Sequence, residues 1–382
     1  MNEGRTLIDW RAVFWIVALI IAVLLFHLLS AVMMPFVAGM ALGYLLNPVA
    51  NWLERLGLNR LGATLLILVS FILAIGLFAI FVGPLLGHQL AGFLVSLPDY
   101  VAKLEELITN QAAAFTAKYG GGYLSSLGLF PTGGSSDLQS SLTSLAGQGA
   151  QTLAALLRSL WNGGTALVSI VSLLVITPVV AFYLVLDWDK MVLSLDELIP
   201  LNHRDTVRAL LAEIDRALGG FLRGQSLVCL FLGLWYGLGL SLVGLNFGFL
   251  IGISAGILSF VPYVGSLTAL VLGAAVATVQ GWPHLTLLFE ALGVVVTGQF
   301  LEGNILTPKL VGESIGLHPV WLIFALLAFS SLLGFTGLLI AVPVAAAIGV
   351  LLRFGVRQYL HSPIYLGRPE ATPNLVLPKL PE

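Results

Sequence analysis

From Phe249 to Val279 the chain runs for 31 residues without a charged side chain. As one straight helix this run would measure about 47 Å at roughly 1.5 Å per residue, against a hydrocarbon core about 30 Å thick. It is too long for one span and too short for two, and it carries "SFVPYVGS" (259–266) at its centre. Further apolar runs fall at about 13–30, 34–50, 61–83, 163–186, 225–244, 285–303 and 320–352. With 58% hydrophobic and 9% charged residues, the chain cannot clothe a water-facing surface, which usually needs about a quarter of its residues charged. A backbone in lipid must satisfy its own hydrogen bonds, so spanning segments are helices or closed barrels. The runs are continuous in Leu, Ile, Val and Ala rather than alternating, which selects helices. The expected fold is therefore all-α and polytopic. It has about six full spans plus two re-entrant hairpins, or about eight spans if the long runs are only kinked.

Charge places the segments. Arg5, Arg11, Arg55, Arg60, Lys190, Arg204, Arg208, Arg216 and Arg223 gather on one face if the N-terminus is cytoplasmic. Region 85–160 then lies outside with only Lys103, Lys118 and Arg158, in line with the enrichment of positive charge inside. The basic residues Arg353, Arg357, Arg368 and Lys379 put the C-terminus inside as well. This gives helices 1–3 within 1–84, an extracytoplasmic amphipathic region at 85–160 and helix 4 at 161–187. Cytoplasmic amphipathic helices follow at 188–223, a broken-helix core at 224–357 and a cytoplasmic tail at 358–382. Within 85–160, helical stretches are expected around "LPDYVAKLEELI" and "SSDLQSSLTSL", separated by a Gly/Ser-rich segment. The apolar stretch Val13 to Ser30 has no small-residue cleavage site and reads as a retained helix.

With helix 225–244 running outward and 285–303 inward, 249–279 has to enter and leave on the same side. A hairpin does this, with half-helices 249–261 and 266–279 and a turn at Pro262-Tyr-Val-Gly265. The run 320–352 admits the same treatment from the other face, turning at Gly334-Phe-Thr-Gly337. In both runs 13 positions separate the entry (Phe249, Trp321) from the turn (Pro262, Gly334). Interrupted apolar segments in corresponding positions are a pointer to a transporter's binding site. The alternative is two long helices kinked at Pro or Gly.

Enzyme chemistry finds no support: there is no His/Glu cluster at metal spacing, no phosphate-binding Gly-rich loop and no nucleophile elbow. The single cysteine, Cys229, excludes an internal disulfide and a multi-cysteine metal site, and a net charge of −2 gives no argument for nucleic acid. No metal or cofactor is expected. The candidate polar residues are Ser259, Tyr263, Ser266 and Thr268 at the first turn and Ser330, Ser331 and Thr336 at the second. Their hydroxyls either contact a solute or satisfy the freed backbone of the turn. Glu302, with Gln299 three positions earlier on the same helix face, is either a structural group, an interfacial cap or a pair with Lys309, or a working carboxylate. Glu290 lies on another face of the same helix and is a second proton or cation candidate. Gly248, Gly252 and Gly256, and Gly233 and Gly237, repeat every four positions and mark close helix packing, within one chain or in a homo-oligomer.

In order, "SFVPYVGS", "QFLEGNILTPKLVGESIGLHP" and "GFTGLLIAVPVAAAIGVL" resemble the signature blocks of the autoinducer-2 exporter family of bacterial membrane permeases. The upstream "FLRGQSLVCLFLGLWYGLGLSLVGLNFGFLIGISAGIL" and "LAGFLVSLPDYVAKL" fit the same pattern. Matching positions include Gly224, Pro262, Gly265, Glu302, Pro308, Gly312, His318, Pro319, Gly334, Gly337 and Pro343. The resemblance implies a multi-pass permease of the bacterial inner membrane, with some members linked to autoinducer-2 export and others to Na+(Li+)/H+ exchange. The leading expectation is a secondary transporter, not an enzyme, that exports a small polar organic solute. Access would alternate at a midplane site made by the hairpin tips Pro262, Tyr263, Gly265, Ser266, Gly334, Thr336 and Gly337, with Gln299 and Glu302 at the inner exit. The alternatives are a cation/proton antiporter using Glu302 or Glu290, and a non-transporting membrane scaffold.

Overall fold

The structure, a computed structural model, describes residues 10–119, 164–311 and 316–366. Among these residues there are helices and turns and no strand. Six helices are long and apolar enough to cross a membrane, and a shorter apolar one, Gly248–Leu258, lies among them. The chain is an all-α polytopic membrane protein. It divides into two compact units, one formed by 1–189 with 222–312 and the other by 190–221 with 313–382.

In the first unit, α1 (Trp10–Arg55) is a single 46-residue helix, about 69 Å long by its rise. The separate segments expected at 13–30 and 34–50 are thus joined. Pro35 and Pro48 lie inside it, and a proline can bend a helix but cannot turn it back. Next come α2 (Arg60–Phe81) and α3 (Gly83–Tyr119), the latter taking in the expected "LPDYVAKLEELI" helix. The stretch "SSDLQSSLTSL" lies outside the described residues. After α4 (Gly164–Glu197) a short turn leads to α5 (Arg204–Leu242), which passes from the second unit into the first.

Arg60 holds the base of the first unit. Its guanidinium donates to the Val185 carbonyl at 2.9 Å, to Glu54 at 2.9 Å, and to the side-chain oxygens of Asn51 at 2.5 Å and Asn47 at 2.6 Å. One planar fork thereby ties the end of α1, the start of α2 and the body of α4.

The run 249–279 is a helical hairpin: α6 (Gly248–Leu258), a turn, and α7 (Val264–Gly281). The arms pack on each other, and a Cβ added at Gly265 would overlap the Ser259 hydroxyl and the Ala255 carbonyl. Its open ends also meet. Gln280 accepts from the Asn246 amide at 2.8 Å and donates to the Gly244 carbonyl at 2.9 Å. Helix α3 clasps this end. Gln89 accepts from the Leu250 amide at 2.9 Å, and the Phe247 ring meets Phe93 edge-on at 5.4 Å. That bond satisfies one of the orphan amides at the start of α6, whose own cap residue, Phe247, contributes no side-chain bond. The last helix of this unit, α8 (Thr286–Leu301), widens at its end into a ten-residue π-helix, Glu302–Val311.

The second unit repeats the reversal. Its helix α9 (Pro319–Leu360) is broken at Gly334, where φ is 60° and ψ −136°. In a straight helix Leu317 and Gly349 would stand about 48 Å apart, yet a Cβ at Gly349 would lie 2.8 Å from the Leu317 side chain. Arg353 likewise donates to the Gly316 carbonyl at 3.3 Å. The arms 319–333 and 335–360 therefore fold back on each other around Gly334. At the other end of this unit Asp196 receives Arg204 and Arg208 (2.6 Å), and these guanidinium groups hold its carboxyl well below the usual carboxylate range. A short closing helix, α10 (Pro363–Leu366), follows α9.

Two predictions follow from these joints. Gly334→Ala should lower stability by about 1–3 kcal/mol through backbone strain alone, because a Cβ there would meet nothing within 4 Å. Gly337→Ala, whose Cβ would overlap the Phe329 carbonyl, should cost more; equal melting temperatures for both variants and the parent in detergent would contradict the hairpin geometry. Arg60→Met should cost about 1–3 kcal/mol by leaving Glu54, Asn47 and Asn51 without their donor. Arg60→Lys should not restore it, since an ammonium lacks the fork; both are read by thermal unfolding.

Candidate functional site

The second half of α5 is the spine on which the first unit's polar residues are arranged. Gln225, Cys229 and Tyr236 lie at i, i+4 and i+11, a spacing that returns to one face of a helix. A neighbouring stripe on α5 holds Gly233 and Gly237, which meet Gly256 and Gly252 of α6 backbone to backbone. A Cβ added at Gly248 would lie 2.8 Å from the backbone of Leu240, extending the same contact. The glycine spacing is thus used within the chain, between α5 and α6. On its other side α5 meets α8: Trp235 donates its indole N–H to the Val294 carbonyl at 3.1 Å, and Tyr236 lies directly on Gly298.

Three features converge at the Gln225 end of this spine. Gln225, buried, donates to the carbonyl of Ser259 at the hairpin turn at 2.5 Å. Gly224 beside it faces the π-helix so closely that a Cβ would overlap the Leu310 carbonyl. Glu302 opens the π-helix and accepts from the Gln299 amide at 3.3 Å. Widening a helix from i→i+4 to i→i+5 bonds displaces its carbonyls, and such segments concentrate at functional sites. Here the Asn304 side chain donates to the Phe300 carbonyl at 3.0 Å, near the point where the helix widens. Tyr236 and Cys229 lie near Glu302 on the α5 side.

Of the residues expected at the site, Gln299 and Glu302 are brought together, Gln299 exposed and Glu302 half-buried. At the first tip, Pro262 is half-buried, Tyr263 is exposed with φ 69°, and Gly265 is buried under Ser259. The hydroxyls there bond to their own helices. Ser259 donates to Ala255 at 2.8 Å, Ser266 to Tyr263 at 3.1 Å and Thr268 to Val264 at 2.7 Å, each through a backbone carbonyl. Gly334, Thr336 and Gly337 form the bend of the second unit, with Thr336 and Gly337 buried. Glu290 is exposed, near the start of α8 and twelve positions from Glu302, about 18 Å along the axis. Tyr236 and Gln225 were not singled out from the sequence, although their shared face with Cys229 inside an apolar run was the available signal. No cluster of three or more His, Cys, Asp or Glu side chains that could hold a metal occurs among the described residues.

Apolar helices, paired hairpins and a polar site within a spanning helix define a helical membrane transport protein. The pattern of the AI-2E family transporter matches residues 14–357, and the chain belongs to that family. It is 30% identical over 329 residues to YueF of Bacillus subtilis, covering 84% of this chain and 83% of that one. YrrI of the same organism is 29% identical, over 85% and 86% of the two chains. PerM of Escherichia coli K12 is 26% identical over 349 residues, covering 90% and 93%. All three carry transport-protein or permease names.

Gly224 makes a close backbone contact with the π-helix. Gly224→Ala should push α5 off the π-helix and cost about 1–3 kcal/mol by overpacking. Ala at Gly293 of α8, where a Cβ would meet nothing within 4 Å, is the matched control. Equal unfolding temperatures for the two variants would refute the close approach.

Proposed function

We propose that this protein is a secondary transporter of the bacterial inner membrane that exports a small polar organic solute, of which autoinducer-2 is the leading candidate. The observation that carries this reading is the Gln299–Glu302 pair at the opening of a π-helix, within a segment apolar enough to span a membrane. A carboxylate at membrane depth is costly and usually faces a cavity or a partner. Among the described residues Glu302 has no ion pair, and the amide of Gln299 is the one hydrogen-bond donor it meets. Its remaining lone pairs are open to a guest. The solute class follows from family membership and from a site of one carboxylate, an amide and hydroxyls, suited to a neutral oxygen-rich molecule.

Both broken segments serve as re-entrant hairpins in this reading. The meeting of their ends, Gly244 and Asn246 with Gln280 and Leu317 with Gly349, supports entry and exit on one face. The tip residues Pro262, Tyr263, Gly265 and Ser266 move with the first hairpin, and Gly334, Thr336 and Gly337 with the second. The hydroxyls of Ser259, Ser266 and Thr268 hold the turn rather than the solute, since each already has a backbone acceptor. In this reading the basic residues Arg60, Arg223, Lys309, Arg353 and Arg357 are cytoplasmic. The glycine stripes supply no argument for a homo-oligomer, being occupied within the chain. A scaffold would need no reversed backbone, so the hairpins speak against that role.

Exchange of Na+ or Li+ for protons is the second reading, favoured by a half-buried carboxylate with no cationic partner. Glu302 is its carrier; Glu290, exposed at the far end of α8, is a weaker choice. Liposomes with a trapped pH-sensitive dye separate the readings. Autoinducer-2 should drive a flux that Glu302→Gln lowers by about tenfold or more, the scale of a lost charged hydrogen bond. A flux raised by Na+ or Li+ alone and lost in the variant would establish the antiporter instead. Labelled-solute uptake unchanged by Glu302→Gln would remove the carboxylate from the site altogether.

A further inference from the structure

Tyr236 has no exposed surface, and among the described residues its hydroxyl has no hydrogen-bond partner. Its ring lies on Gly298, where the absence of a side chain lets the phenol reach α8. A Cβ at 298 would overlap the ring edge and stand 2.8 Å from the hydroxyl oxygen. The hydroxyl therefore lies at the surface of α8 at residue 298, one turn before Glu302 on the same face and next to Gln299. Gln299 comes close enough to interact with the Tyr236 hydroxyl, but the contact falls outside ordinary hydrogen-bond geometry, and Glu302 makes no bond to it.

An unpaired hydroxyl away from water destabilises the fold that buries it. Phenylalanine would fill the same space over Gly298 without that cost. The hydroxyl also contributes nothing to α5–α6 packing, which runs along Gly233 and Gly237 on the neighbouring stripe. The hydroxyl thus has donor capacity that the fold does not use. The adjoining groups show the same unused capacity. Glu302 accepts only the long bond from Gln299, and the amide oxygen of Gln299 makes no bond among the described residues.

We propose that Tyr236 is a third member of the Gln299–Glu302 site, its hydroxyl donating to an oxygen of the bound solute. This rests on the proposed reading of Gln299 and Glu302 as solute-binding residues. The three side chains offer one hydroxyl, one amide and one carboxylate on adjoining faces of α5 and α8. That set fits a compact molecule carrying both hydroxyl or carbonyl acceptors and hydroxyl donors. The donor from Tyr236 selects for an oxygen acceptor, and a purely cationic guest would gain nothing from it.

The test is Tyr236→Phe, measured in two ways. In detergent without solute, the melting temperature should equal or exceed that of the parent, because a buried unpaired hydroxyl has been removed. In liposomes with autoinducer-2 as the probe, KM should rise about tenfold with a smaller change in kcat, the scale of one lost hydrogen bond in a dry site. A lowered melting temperature would overturn the proposal by showing that the hydroxyl is paired within the fold. Unchanged KM and kcat would overturn it from the other side. If the parent itself moves no autoinducer-2, the proposed function fails for that solute. The melting comparison still decides then, a lowered value overturning the proposal and an equal or raised one supporting an unpaired donor.

Discussion

Backbone contact between α5 and α6 is the constraint from which the first unit follows. Gly252 stands on Gly237 and Gly256 on Gly233 with no side chain between them. In lipid, helices gain little from burying apolar surface, so close packing must supply the association. Glycine permits the closest approach, at the cost of a residue that favours helix poorly. With α6 pressed on α5, its eleven residues fix where the chain must turn, and Gln225 meets the Ser259 carbonyl at that point. The other flank of α5 then receives α8 through Trp235, Tyr236 and Gly298. One helix thus sets the position of the hairpin turn and of the Glu302 segment together.

The π-helix can be understood in the same terms. A continuous α-helix would keep the Glu302–Val311 backbone narrow and its carbonyls in line. Instead the segment widens where Gly224 leaves room for the Leu310 carbonyl, and Asn304 donates to the Phe300 carbonyl near the junction. Pro308, lying inside the segment, has no amide to give to either ladder. Converting one π turn to α rotates all that follows by about 100°.

Much of this was legible in sequence because it depends on lengths and charges. A charge-free run of 31 residues around Pro262 is too long for one straight span, which made a hairpin at 248–281 the leading reading over a kinked helix. The bend at Gly334 was readable from its Gly-rich turn. The pairing of Gln299 with Glu302 needed only helical spacing. What escaped notice depends on which faces meet. Continuity of α1 through residues 31–33 was hidden, because Pro35 reads equally as a break or a bend. The partner of the glycine stripes was undetermined, since spacing is the same for contacts within and between chains. Tyr236 was lost in an apolar run because its importance comes from Gly298, 62 positions away in sequence.

The base and the far end of the first unit are held by different physics. At one end Arg60 gathers Asn47, Asn51, Glu54 and the Val185 carbonyl into a charge-assisted network. At the other, the loop before α6 is held by neutral groups: Gln280, Gln89 and the Phe93–Phe247 edge contact. Charge-assisted bonds are roughly twice as strong as neutral ones, and breaking a largely buried pair leaves a costly charge behind. A helical unit fixed by charge at one end and by neutral contacts at the other will open first at the neutral end. If the first hairpin moves during transport, the clasp of α3 on residues 244–250 is where the movement is resisted least. Gln89 and Phe93 of α3 are the side chains that hold that end.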